Sequence, residues 1–297
     1  MTESSPEGAF TLVVPAYNEE GAITETVETL LATLSSLSQF EILVVNDGSS
    51  DGTAAELERL DALHPQLRVI THDRNRGYGA ALKTGISRAR TPWVGITDAD
   101  GTYPNERIPE MLGLAEKLDA DMVVGARIIK DQVTYPLIRK IPKVFLVRWA
   151  SWLSDYKIPD INSGMRVFKT ESVKKFFWVL PDTFSFTTTI SIAMLKSRHL
   201  VHYMPIGYKA RIGNSKIKPI RDTLRFVQLI TRTGMYFAPL RVLAPIFLIL
   251  TLAMLVSLGF DVAHGNLTDK TVMLFIAAIN VIMFALLADM IHRRSTA

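Results

Sequence analysis

Between Phe10 and Gly125 the chain alternates short apolar, β-rich runs with stretches whose apolar residues recur at helical spacing, and this alternation constrains the fold most strongly. Phe10-Thr11-Leu12-Val13-Val14 closes at Pro15, and a helical pattern runs from Ala22 to Leu37. Phe40 to Val45 ends in Asn46-Asp47-Gly48 and precedes a helix over Thr53 to Leu63 that Ser50 or Asp51 could cap. Leu67 to Thr71 precedes a helix over Gly79 to Ala89. The strand beginning at Trp93 precedes a helix over Arg107 to Leu118, and Asp121 to Gly125 is a fifth strand. Strands separated by helices in this way predict an α/β chain with a mostly parallel sheet covered on both faces.

Such a sheet gathers the carboxyl ends of its strands at one edge, where open α/β folds hold ligands. That edge would carry Asn18, Glu19, Asp47, Asp98, Asp100 and Arg127. Any one of them is an ordinary polar loop end or helix cap. Acids after three of the strands and an arginine after the fifth together predict a nucleotide site. Asp98-Ala99-Asp100, followed by Gly101 and Pro104, sets two carboxylates at a turn. That arrangement suits a hard divalent cation, Mg²⁺ or Mn²⁺, which keeps some waters and holds substrate phosphates; an isolated D-x-D is equally what a solvated acidic turn looks like. Gly77-Tyr78-Gly79 is half of a dinucleotide fingerprint but follows the third strand, while the first turn holds Pro15-Ala16-Tyr17-Asn18-Glu19-Glu20. A nicotinamide dehydrogenase is therefore not expected. The glycines are read as permitting close approach of the helix that starts near Gly79.

The hydrophobic content, 48% with a mean hydropathy of +0.20, is high for a chain that meets only water. Residues Val242 to Phe260 and Thr271 to Ala288 carry no charge, and each run approaches the ~20 residues that cross a bilayer. The polar link Asp261 to Lys270 makes them a hairpin. Arg232 and Arg241 precede it and His292, Arg293 and Arg294 follow, which places both ends in the cytoplasm. From Tyr135 to Tyr156, Arg139, Lys140, Lys143 and Arg148 interleave with bulky apolar residues including Trp149 and Trp152, a composition suited to a membrane interface. A core helix with a solvated basic face is the alternative there. Pro219 to Leu240 reads as an amphipathic interface helix. The expected organisation is a catalytic domain over residues 1–218, an interface helix over 219–240 and a hairpin over 241–297. The absence of cysteine excludes disulfides and thiolate metal sites. Met1 to Gly8 has no apolar core, so no secretory signal is expected and the catalytic part should stay in the cytosol. His199 and His202 would point to opposite faces of a strand and are read as structural.

Taken together these motifs resemble the family 2 glycosyltransferases, in particular the polyprenyl-phosphate glycosyltransferases typified by dolichyl-phosphate mannose synthases and undecaprenyl-phosphate glucosyltransferases. The resemblance covers Phe10 to about Lys216 and extends to the two carboxy-terminal spans. It implies a GT-A-like catalytic domain that inverts the sugar it transfers. Pro15, Tyr17 and Glu19, with Asp47 and Gly79, match segments that contact the nucleotide; Asp98-Ala99-Asp100 matches the metal and diphosphate motif. Gly125-Ala126-Arg127, Ser163-Gly164-Met165-Arg166 and Arg211-Ile212-Gly213-Asn214-Ser215-Lys216 match later phosphate-handling segments. Where mannose synthases of this kind carry a metal-contacting Gln, this chain has Thr102, a neutral oxygen ligand at best.

A second departure separates the acceptors. Hydroxyl acceptors need a positioned base, yet the helix beginning near Thr187-Thr188-Thr189 offers none, and from Ile161 to Arg221 the only acids are Glu171 and Asp182. A phosphate monoester, with its second pKa near ~6, is already largely ionised at neutral pH. The expected acceptor is a polyprenyl phosphate held by Arg127, Arg139, Ser163 and Arg166, with Arg211 and Lys216 offsetting charge on the leaving nucleoside diphosphate. The donor is a nucleotide sugar, with a uridine diphosphate hexose favoured over guanosine diphosphate mannose. The partners are therefore donor, lipid phosphate and bilayer, without nucleic acid; a homo-oligomer is left open. Two rivals remain. A processive polysaccharide synthase should carry Q-x-x-R-W and more spans, whereas Gln228 to Thr233 has the wrong spacing and no Trp. A non-catalytic nucleotide-sugar-binding scaffold would keep the same residues without turnover.

Overall fold

The computed structural model describes residues 9–128, 148–207 and 219–295. Arg139, Arg211, Lys216 and the first part of the basic segment, 135–147, lie outside them. Strands β1 (Phe10–Ala16), β2 (Phe40–Asn46), β3 (Leu67–Thr71), β4 (Trp93–Ile96) and β5 (Met122–Arg127) alternate with helices α1 (Ile23–Leu34), α2 (Thr53–Leu63), α3 (Tyr78–Arg88) and α4 (Ile108–Leu118), as the periodicity predicts. A helical segment over 148–154, here α5, leads to β6 (Arg166–Lys169), α6 (Thr170–Lys174), α7 (Phe186–Lys196) and β7 (Val201–Ile206). Then come α8 (Pro219–Phe237), α9 (Pro239–His264) and α10 (Asp269–Ser295).

The strands form one seven-stranded sheet in the order β3-β2-β1-β4-β6-β5-β7. The pairs β1·β2, β2·β3, β1·β4 and β5·β7 are parallel, while β6 runs antiparallel to both β4 and β5. The alternation read in the sequence up to Gly125 does not reach Val167 and Phe168. Those residues form the centre of β6, with Val167 opposite Gly95 and Phe168 opposite Val94. Four residues are too few to show a period, and neighbours on both sides supply the order that propensity does not. The helix that follows spans only Thr170–Lys174.

Alternation along the strands makes two cores. Leu12, Val14, Ile42 and Val44 pack on one face with α1, α2 and α4. Val13, Leu43 and Val45 pack on the other with α3 and α7. With both faces covered the strands read as continuous apolar runs. A third cluster joins Ala150 and Leu153 of α5 to Ile192 and Leu195 of α7, Ile230 of α8 and Val242 of α9, seating the hairpin on the sheet layer. At 26 residues α9 is ~39 Å long, enough to cross a hydrocarbon core of roughly 30 Å. Leu248, Ile249, Leu252 and Phe260 on α9, with Met273 and Phe284 on α10, are exposed. Two long apolar helices that leave such side chains uncovered are suited to lipid contact. Their turn is closed by Asp261, which accepts hydrogen bonds from the Thr268 amide at 2.9 Å and the Thr271 hydroxyl at 2.6 Å.

Candidate active site

The edge where β1, β2, β4 and β5 end lies at the change of strand order between β1 and β4, and β6, running the other way, delivers its entry loop to the same edge. On the β1 side two loops interlock. Asn18, at φ 56°, donates its amide to the Ser49 hydroxyl oxygen (3.0 Å) and accepts the Ser50 amide at its side-chain oxygen (2.9 Å). The Glu19 amide donates to Thr53 Oγ1 at 2.9 Å, and the Gly52 amide to Glu20 at 3.1 Å. Tyr17 is 46% exposed above this floor, whereas Pro15 is buried in β1.

Asp47, expected to face the nucleotide, is engaged by the chain that leads into α3. It is 2% exposed, with Oδ1 receiving the Arg76 amide (2.9 Å) and meeting His72 Nδ1 (2.7 Å), and Oδ2 receiving the Gly77 amide (2.8 Å). Its carboxylate fixes the approach to α3. Gly48, at φ 68°, allows this, because a Cβ there would meet the Arg74 carbonyl carbon at 2.4 Å. Gly79 is buried where a Cβ would meet the Pro181 carbonyl oxygen at 2.2 Å, so its role is close contact with the 181–183 turn.

Asp98 and Asp100 are half-buried just past β4. Asp98 Oδ1 accepts the Tyr78 hydroxyl at 2.8 Å, and a Cβ on Gly164 would lie 2.9 Å from both of its oxygens. Gly164 is held by its amide, which donates to the Tyr103 hydroxyl oxygen at 2.7 Å. Loss of water on burial, and then the negative Asp98, push both phenols up, so each stays protonated at neutral pH. Asp100 Oδ1 accepts the Thr102 hydroxyl at 2.6 Å and the Thr102 amide at 3.2 Å. Thr102 is 2% exposed, and its hydroxyl shapes the acidic turn by donating to Asp100.

Asp98 and Asp100 present only carboxylate oxygens. Among the described residues no three His, Cys, Asp or Glu side chains converge. A hard divalent ion that takes one or two carboxylates and completes its shell with water and diphosphate fits such a pair; a cation needing a full protein cage does not.

Two residues expected at the acceptor phosphate are buried within the described fold. Ser163 is 0% and Arg166 1% exposed. The Ser163 hydroxyl donates to the Gly125 carbonyl at 2.5 Å. Arg166 donates to the carbonyls of Ser163 (2.8 Å) and Ile161 (3.1 Å) and to the Ser191 hydroxyl (2.8 Å). Burial of the β6 start turns both inward, where they brace the loop that carries Gly164. Arg127 sits at the end of β5 in a two-point pair with Asp160, Nε to Oδ2 at 2.6 Å and Nη2 to Oδ1 at 2.9 Å. Asp160 lies one residue before the window searched for acids, so the sequence reading passed over it. It also overlooked Tyr78, although the glycines on either side had marked the spot. The exposed Asn162 accepts the Thr188 hydroxyl at 2.6 Å, so α7 reaches this side of the site through a neutral group.

A seven-stranded sheet with one reversed strand and an acid pair at its switch point defines a transferase of the GT-A class. The comparisons agree. The family model described as glycosyl transferase family 2 matches residues 11–177, and the GtrB C-terminal hairpin model matches residues 238–293. The chain is 31% identical over 210 residues to a dolichyl-phosphate hexose transferase of Haloferax volcanii, covering 70% of this chain and 86% of that protein. It is 24% identical over 307 residues to a dodecaprenyl-phosphate galacturonate synthase of Rhizobium johnstonii, covering 96% and 88%. The chain spans 55% of the length of another relative, the low-salt glycan biosynthesis hexosyltransferase Agl6 of Haloferax volcanii, at 28% identity and 77% of its own length. Among solved structures it is similar in fold to glucosyl-3-phosphoglycerate synthase of Mycobacterium tuberculosis in complex with Mn²⁺, uridine-diphosphate-glucose and phosphoglyceric acid, with a TM-score of 0.59 and 16% identity over 77% of this chain and 80% of that one. The chain belongs to glycosyl transferase family 2, and it carries the apolar hairpin of the GtrB type.

Proposed function

We propose that this chain transfers a hexose from a nucleoside diphosphate sugar to a polyprenyl phosphate at the cytoplasmic face of a membrane. The observation that carries the choice of acceptor is the state of Asp160. The carboxylate nearest Asn162 and Gly164 in the chain, it is 2% exposed and holds Arg127 through both oxygens, so it is poorly placed to take a proton from a sugar hydroxyl. Asn162 and Thr188 beside it are neutral. An acceptor that arrives ionised needs no base. The lipid-phosphate relatives and the hairpin of α9 and α10 support the same reading.

In this reading Asp98 and Asp100 hold the diphosphate through a divalent cation, which would supply charge neutralisation for the leaving group. Tyr17 and Glu19 line the nucleotide side. Asp47 acts one step removed, by setting Arg76 and Gly77. An acceptor phosphate oxygen forms a bond to the anomeric carbon from the face opposite the diphosphate, whose oxygen leaves with the bonding pair, and the sugar inverts. Arg211 and Lys216 offset charge on the departing nucleoside diphosphate. Arg127 and Arg139 attract the lipid phosphate, while Ser163 and Arg166 brace the loop behind them. The nucleotide is a uridine diphosphate, and α8 lies along the headgroups with the catalytic part and both ends in the cytoplasm.

The test is transfer of radiolabel by the purified full chain, with Mg²⁺ or Mn²⁺, from a panel of UDP- and GDP-sugars to polyprenyl phosphate. Label that enters the organic phase as a mild-acid-labile lipid supports the proposal. Label entering only a saccharide supports a polysaccharide synthase, and donor binding without transfer supports a scaffold; either result overturns it.

A further inference from the structure

The function proposed above makes no use of Tyr78, although its hydroxyl lies 2.8 Å from Asp98 Oδ1. Three features place that hydroxyl. Gly77 precedes it at φ 102°, a conformation side chains rarely adopt, and the Gly77 amide is held by Asp47 at 2.8 Å. The ring stacks on Phe184, with centroids 5.1 Å apart and planes 17° apart. The α3 amino terminus is pressed on the 181–183 turn, where the Ala80 amide donates to the Asp182 carbonyl at 3.2 Å and Lys83 pairs with the Asp182 side chain. A phenol kept protonated beside a carboxylate can only donate to it. The Gly164 backbone also stands against Asp98, close enough that a single added carbon would touch both oxygens.

We propose that Tyr78 is a positioning residue for Asp98. Its O–H is bonded to Oδ1 and sets the rotation of the carboxylate that would hold the cation and, through it, the donor diphosphate. This rests on the reading of Asp98 as a carboxylate that holds the cation. Donors behind metal-binding carboxylates fix ligand orientation, and their loss typically weakens metal affinity or activity by about 10–100-fold. The Asp47–Gly77–Tyr78–Asp98 chain also gives the nucleotide-side loop a mechanical link to the diphosphate-side acid.

The experiment is titration of the purified full chain with Mn²⁺, following free Mn²⁺ by electron paramagnetic resonance, with UDP and separately with GDP. Wild type, Tyr78→Phe and Asp98→Asn are compared. Tyr78→Phe keeps the ring on Phe184, and nucleotide binding without metal reports that the site is still folded. The expected result is Mn²⁺ binding weakened about 10–100-fold in Tyr78→Phe, with metal-free nucleotide binding unchanged. In turnover assays the same variant should need about 10–100-fold more Mn²⁺ for half-maximal rate. Wild-type Mn²⁺ affinity in Tyr78→Phe, alongside its loss in Asp98→Asn, overturns the role of Tyr78. Wild-type affinity in Asp98→Asn overturns the cation reading beneath it.

Discussion

Arg127 and Asp160 face each other in a two-point ion pair whose side chains differ sharply in exposure, 21% for the arginine and 3% for the aspartate. The pair ties the end of β5 to the loop that enters β6. The difference in exposure makes the two deletions unequal.

Removing Arg127 leaves a carboxylate sealed from water, whereas removing Asp160 leaves a guanidinium able to turn outward. Breaking a buried pair costs about 3–5 kcal/mol. Arg127→Ala should approach the lower end of that range, and Asp160→Ala should fall below it, at about 1–2 kcal/mol, because solvent screens the arginine. Denaturant unfolding of the two variants in detergent checks the order; equal losses would show that the difference in exposure does not decide the cost.

Asp100→Ala should abolish transfer while leaving the melting temperature close to wild type. The side chain lies beyond the end of β4 and accepts the amide and hydroxyl of Thr102 in its own turn. Thr102→Val, which keeps the shape and loses the 2.6 Å bond, should reduce kcat/KM less severely. Label transfer and thermal unfolding measured on the same preparations decide this, and wild-type rates in Asp100→Ala would refute the assignment.

Gly164→Ala should reduce kcat with little loss of stability. The added carbon falls 2.9 Å from both oxygens of Asp98, which must move by a few tenths of an ångström. Misplacement of a reacting group by about 1 Å can cost 10²-fold, so a loss of about tenfold is expected here. Steady-state kinetics and a melting curve test it; a rate unchanged within a factor of two would mean that Asp98 yields freely.

Acid should weaken the fold through His199. Burial holds its imidazole below the ordinary histidine value, against the smaller opposing pull of Asp121 at 3.9 Å. The folded state therefore binds a proton less readily than the unfolded chain. The stabilisation is complete above the ordinary histidine pKa and is lost as pH falls through the lower folded value. The nearby Asp121, held below the usual carboxylate range by hydrogen bonds from Ser172 and the Leu200 amide that outweigh its burial, adds a further loss at lower pH with the same sign. The melting temperature of wild type should drop between pH 7 and pH 5, and the drop should be smaller in His199→Gln. The Lys175 and Lys169 charges facing the imidazole also oppose its protonation.

Much of the fold was legible in the sequence because period and burial coincide in it. Thr53–Leu63 and Leu67–Thr71 form the helix and strand their patterns indicate, and the uncharged runs after Arg241 form α9 and α10. The reversed β6 was hidden because four residues carry no measurable period and their order comes from strands distant in sequence. Asp98 and Asp100 could be found because both acids stand in one turn. Their surroundings could not, since Tyr78 meets Asp98 across 20 positions and Arg127 meets Asp160 across 33. Residue type alone also does not show that Ser163, Arg166 and Asp47 are enclosed and bonded to backbone groups: a polar side chain near a site edge serves the backbone as readily as the ligand.

The reversal of β6 has one architectural result. Because β5 leaves the sheet at the edge where β6 enters it, the chain between Arg127 and Arg166 departs and returns at neighbouring points. The returning end holds Asp160 against Arg127 and Gly164 against Asp98, and α5 within it packs on α7 and α8, so this excursion couples the seat of the hairpin to the acid pair.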